Sequence, residues 1–103
     1  MNAPVFNEII HAPNRLQICA MLSAVDSAEF AVLRDTLAVS DSVLSKHLKV
    51  LQTAGYVETA KTSGRAAERS TWISLTPAGR RALAGHLAEL HRISDLANIT
   101  NSG

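Results

Sequence analysis

The chain has 103 residues, of which 47% are hydrophobic, with a formal net charge of +1 and a single cysteine. That length accommodates one domain with a thin core, expected to span residues 1–103, and one cysteine excludes an intrachain disulfide framework. No apolar run long enough for a membrane span and no signal-peptide pattern is visible, so a cytoplasmic protein without a membrane partner is expected. The near-neutral total hides an uneven distribution. Residues 1–37 carry two basic and four acidic side chains, whereas residues 38–76 carry five basic and three acidic. The positive excess lies in the middle of the chain.

In chain order, Pro4 is tolerated at a helix start, and Val5, Phe6, Ile9 and Ile10 predict a short apolar helix that closes before Pro13. A segment this apolar is expected to dock on something. Pro13 opens a second helix, with Leu16, Ile18, Cys19 and Leu22 turned inward. Asp26 and Ser27 supply turn and capping groups ahead of the next helix. From Phe30 to Val57 the pattern is two helices joined at a tight break, Val39-Ser40. Phe30, Leu33 and Leu37 recur at helical spacing in the first; Leu44, Leu48 and Leu51 do so in the second. Ser40 is placed to cap the second helix and Gly55 to end it in the left-handed conformation. With so few residues between them the helices must cross, which is the layout of a helix-turn-helix.

The face of the second helix left free by its leucines carries Ser42, Val43, Ser45, Lys46 and Lys49. Short side chains early let the backbone approach base edges in a major groove, and lysines later reach guanines or phosphates. Here the run LSKHLKVLQTAGYV resembles the recognition helix and following strand of winged helix-turn-helix transcription regulators of the ArsR and MarR kind. The resemblance extends from His11 to about Leu90. HAPNRLQICAML is similar to the ArsR-type helix in which a Pro-x-Arg-Leu-x-Ile run precedes the helix-turn-helix, and LTPAGRRAL to the MarR junction after the wing. The resemblance implies a mainly α fold with a small β-hairpin wing: a three-helix core plus N-terminal and long C-terminal helices. It also implies a regulator of transcription that binds double-stranded DNA, expected to be a repressor acting as a homodimer on an inverted repeat.

Past Gly55 the helical period gives way to alternation. Val57, Thr59 and Lys61 fall on one face, and Thr71, Ile73 and Leu75 of a returning strand on another single face. TSGRAAE between them is a loop with Gly64 available for the turn, and in the winged fold this hairpin is the wing. Lys61, Arg65 and Arg69 sit at or near its tip, where they neutralise phosphates or enter the minor groove, although Glu68 among them dilutes the charge. Thr76 as N-cap and Pro77 at the first helical position open a long helix striped by Leu83, Leu87, Leu90, Ile93 and Leu96. A winged core needs only part of that stripe. Leu83, Leu87, Leu90 and Ile93, with Val5, Phe6, Ile9 and Ile10, are therefore the expected dimer interface, and NITNSG reads as a frayed tail.

A winged module that binds protein instead of DNA tends to lose the basic exposed face, which this chain keeps. His47 lies between leucine positions and is expected to be a partly buried packing residue. Cys19 reads as a small core residue; as a redox sensor it has only Arg15 nearby to lower its pKa. His86, Glu89, His91 and Asp95 suggest zinc, since His86 and Glu89 share a helix face and two such helices complete four ligands. ArsR-type metal sensors place ligands on this helix, but the Cys-x-Cys pair that others carry near the recognition helix is missing, so solvated side chains are the favoured reading and no metal is expected. With no Gly-rich phosphate loop, nucleophile elbow or His/Asp/Ser set, neither catalysis nor a cofactor is expected. An unknown small-molecule effector would have to bind at the dimer interface or between it and the helix-turn-helix.

Overall fold

Asn7, Ser40 and Thr76 each cap the start of a helix with a side-chain oxygen, and Pro13 opens another. The computed structural model describes residues 3–62 and 70–101, with side chains through residue 98. Helices α1 (Glu8–His11) and α2 (Pro13–Ser23) are followed by strand β1 (Ala28–Glu29), α3 (Phe30–Leu37) and α4 (Asp41–Thr53). Strands β2 (Val57–Lys61) and β3 (Thr71–Leu75) lead into α5 (Pro77–Asn101). The helix expected from Pro4 onward is only the single turn α1. Asn7 caps it by accepting from the Ile10 amide, while the Val5 amide is used outside a helix, donating to the Gly85 carbonyl at 3.0 Å.

The helix-turn-helix is α3 and α4. Ala38 turns the chain between them in the left-handed region, φ 56°, which costs a residue with a Cβ about 1–2 kcal/mol. The next two residues set up α4, whose N-cap Ser40 accepts from the Val43 amide at 3.2 Å. Gly55, at φ 80°, ends it, and the Tyr56 amide returns to the Leu51 carbonyl at 2.9 Å. The expected cap and stop are both in place. Asp26 and Ser27, in contrast, do not lead directly into α3, because β1 intervenes and Glu29 occupies the N-cap position.

The three strands form an antiparallel sheet in the order β1-β3-β2. Val57, Thr59 and Lys61 lie directly opposite Leu75, Ile73 and Thr71. The two sets expected on different faces are thus one face, since facing residues of an antiparallel pair point the same way. Its α4-proximal end is buried (Val57, Ile73, Leu75) and its far end open. Ile18, Cys19 and Leu22 of α2, Leu33 of α3, and Leu44, Leu48 and Leu51 of α4 close the core over it.

Thr76 fixes the start of α5 from both sides. Its Oγ1 donates to the Gly55 carbonyl at 2.6 Å and accepts from the Gly79 amide at 3.0 Å. Gly79 is required there, because a Cβ would overlap the Tyr56 carbonyl oxygen. Leu83 is 4% exposed and Ile10 fully buried, so both belong to the core of the single chain and not to the interface expected of them. Leu83 lies where α5 still crosses the body; the single turn of α1 points Ile10 inward. From His91 to Asn98 every side chain is exposed, and the helix continues to Asn101 where a frayed tail was expected. The molecule measures 62 by 26 by 21 Å, elongated along this projecting helix. No helix among the described residues is long and apolar enough to cross a membrane.

Candidate nucleic-acid interface

Burial of Leu44, Leu48 and Leu51 fixes the rotation of α4, and Ser42, Val43, Ser45, Lys46 and Lys49 consequently all reach solvent. The five residues expected on this face are brought together as one surface. Ser40 and Ser42 hydroxyls lie 3.2 Å apart at its leading end, the positive end of the helix dipole. Among the described residues, ion pairs are made by Arg34 and Arg92 and none by Lys46 or Lys49. Both ammonium groups are available to an anion.

One acidic group at the leading end would oppose a phosphate, and the fold pairs it with a cation. Asp41, the first residue of α4, accepts from Arg34 Nη1 at 2.9 Å, and the same guanidinium binds Asp35 through Nε at 2.9 Å. These bonds hold the Arg34 guanidinium more firmly protonated than usual and lower the Asp35 carboxyl. The bridge ties α3 to α4 across the turn. At the other side of α4, His47 is half-buried, as expected, with Asn14 Nδ2 3.4 Å from its Nε2 and the Arg15 guanidinium 3.4 Å from its Nδ1. Burial, then Arg15 and Lys46, hold the His47 pKa down, so the ring is a neutral spacer between α2 and α4. The sequence showed these charges and the tight break between the helices, but not that Arg34 would bridge it.

Lys61 is exposed at the end of β2. Arg65 and Arg69, with Gly64 and Glu68, lie outside the described residues. A hollow of about 390 Å3 separates α4 from the wing strands, bounded by Ser45, Lys49 and Gln52 on one side and Thr59 and Thr71 on the other. Trp72 stands half-buried on β3 with its Nε1 donating to Ser70 Oγ at 3.0 Å. A second, apolar groove of about 550 Å3 runs between Ile9 of α1 and Lys46, Lys49, Val50 and Thr53 of α4.

The remaining candidate surface is apolar. Val5 is 60% exposed, Phe6 43%, Ile93 44% and Leu96 51%, with Ile9 and Leu87 just above a third and Leu90 half-buried. The expectation that His86 and Glu89 are solvated does not hold for His86. His86 is fully buried, its ring nitrogens engaged by the Asn7 amide and by His11, and Glu89 holds Arg92 at 2.6 and 2.9 Å. Among the described residues no three His, Cys, Asp or Glu side chains gather as a metal would require. Cys19 lies in the core, where burial pushes its thiol pKa up to about 11 against the opposing pull of Arg15, the reverse of a reactive thiolate.

Comparison with known proteins agrees with this geometry. Residues 14–94 match the family described as winged helix DNA-binding domain. The chain is 34% identical over 92 residues to an uncharacterized protein of Methanocaldococcus jannaschii, an alignment covering 87% of this chain and 92% of the relative. It superposes on a transcriptional regulator homologue protein from Pyrococcus horikoshii with a TM-score of 0.80 and 27% identity, over 86% of this chain and 87% of that one. ZitR of Lactococcus lactis, a zinc-responsive MarR family member, gives a TM-score of 0.65 at 17% identity, over 94% of this chain and 66% of that one. That last similarity is one of fold alone.

Proposed function

The chain belongs to the winged helix DNA-binding domain family, and we propose that it is a transcriptional repressor that pairs with a second copy and reads an inverted repeat in duplex DNA. The observation that carries this reading is the exposed face of α4, where small side chains lead and two lysines without an ion-pair partner follow. Ser42, Val43 and Ser45 face base edges, Lys46 and Lys49 take guanines or phosphates, and Lys61, Arg65 and Arg69 of the wing take the flanking backbone. Occupying the groove in this way occludes a promoter, so repression is its simplest consequence. The protein acts as one non-catalytic, cytoplasmic domain.

Pairing is supported by the apolar surface. Full burial of one such side chain is worth about 1.5–3 kcal/mol, and Val5, Phe6, Ile9, Leu87, Leu90 and Ile93 leave much of that gain unrealised in a single chain. One recognition helix reads too few base pairs to locate a site, and a twofold pair reads two half-sites about one helical turn apart. An apolar effector would bind in the groove between α1 and α4, a reading supported by the apolar lining of that groove beside Lys46 and Lys49. Binding to a mixed-sequence duplex, measured at low and at physiological salt, tests the DNA reading. Steep weakening with salt is expected, because phosphate contacts release counterions. Absence of binding at low salt would favour a protein-interaction module instead.

A further inference from the structure

Among the described residues His86 is the one buried polar side chain, and its hydrogen bonds fix its protonation state. The backbone amide of Asn7 donates to His86 Nδ1 at 3.0 Å, so Nδ1 carries no proton. The neutral ring must then carry its proton on Nε2, which lies 3.1 Å from His11 Nδ1 and donates to it. The Phe6 ring packs on both imidazoles, with centroids 4.7 Å from His11 and 4.9 Å from His86. Asn7 completes the knot by donating from Nδ2 to the Tyr56 hydroxyl at 2.9 Å. Residues 5–7 are thereby held on α5, with the exposed side chains of Val5 and Phe6 kept at Gly85 and His86.

We propose that neutral His86 is a latch for the N-terminal segment, and that its protonation releases this segment and disassembles the apolar face on which two copies pair. A proton added at Nδ1 would point at the Asn7 N–H across 3.0 Å, so the bond must open before the ring can charge. Moving the existing proton cannot help, because Nε2 already donates to His11. The groups facing the ring are His11 from α1 and, along α5, Glu89, which is bound to Arg92, while Tyr56 reaches Asn7. Burial is the largest influence and holds the His86 pKa down, His11 adds to it, and Glu89 opposes it.

The sign follows from which state takes up the proton. With the segment released, the ring returns to an ordinary histidine pKa of about 6.5, so the released state binds more protons below that pH. The latch is therefore complete above about pH 6.5 and weakens about tenfold per pH unit below it, for one proton. Its dimer arm rests on the pairing proposed above, whereas the latch itself does not.

The test follows hydrogen-exchange protection of the Asn7 amide in the full chain, corrected for intrinsic exchange, from pH 7.5 to 5. Protection is expected to fall about tenfold per unit below about pH 6.5. Ring nitrogen-15 signals of His86 should show proton uptake over the same range. His86→Asn offers a carbonyl oxygen in place of Nδ1 and does not titrate, so its Asn7 protection should stay level with pH. Protection that persists to pH 5 in the wild type, or that falls equally in His86→Asn, overturns the latch. Should His86→Asn not fold, the two wild-type readouts decide alone. Sedimentation on the same samples reads pairing separately. Loss of dimer in step with Asn7 protection supports the coupling, a dimer that outlasts it overturns the coupling, and a monomer at every pH overturns the dimer while leaving the latch result standing.

Discussion

Replacing Lys46 and Lys49 together by Ala removes the two cations of α4 that lack an ion-pair partner. Both are exposed, so stability should change by no more than about 0.5 kcal/mol. DNA binding should change far more. Each neutralised phosphate contributes about 0.9 to the slope of log affinity against log salt, and two lysines on each of two subunits make four contacts. If all four reach phosphates, the slope falls in magnitude by about 3.6. From 50 to 200 mM salt the wild type should then lose about 150-fold more affinity than the variant. Fluorescence anisotropy of a labelled duplex over that range gives both slopes. A variant with unchanged affinity and an unchanged slope would show that α4 presents a different face, or that DNA is not its partner.

Three further variants probe the framework around that face. Leu87→Glu with Ile93→Glu, both at exposed positions, should leave helix content intact by circular dichroism but sediment as monomer, with operator affinity reduced by about 10²–10⁴ through lost bivalency. Ser40→Ala removes the cap of α4 and should cost about 1 kcal/mol, read as a fall in thermal midpoint of about 4–8 °C; an unshifted midpoint would mean that water replaces the cap at no cost. Gly79→Ala forces a methyl group against the Tyr56 carbonyl and should destabilise by at least about 1–3 kcal/mol in urea denaturation, where Ala at an ordinary helix position would stabilise.

The residues that could be read from sequence are those whose neighbours are local. Leu44, Leu48 and Leu51 repeat at the helical period, Ser40 and Gly55 punctuate the same helix, and together they fixed the outward face of α4. Thr76 and Pro77 marked α5 in the same way. What escaped depends on partners distant in the chain. β1 is two residues long and exists only because Ala28 and Glu29 pair with Ile73 and Trp72, far too short a run for alternation to show. His86 resembled a solvated helix histidine until the segment at Asn7 closed over it, 79 residues away. Ile10 and Leu83 sat in apolar patterns that predict burial without saying against which chain. Ala38 runs against propensity altogether, since its left-handed φ is imposed by the crossing of α3 and α4. Nothing in the local pattern marked Arg34 as the guanidinium that holds both Asp35 and Asp41.

Selection of bound sequences from a random duplex pool tests the central claim most directly, because it asks at once whether the exposed face of α4 reads bases and whether it does so in pairs. An enriched inverted repeat is predicted, with half-sites about one helical turn apart and with sequence preference altered by Ser42→Ala or Ser45→Ala. A pool that emerges unenriched would contradict sequence-specific recognition, and an enriched single half-site would contradict the twofold pair.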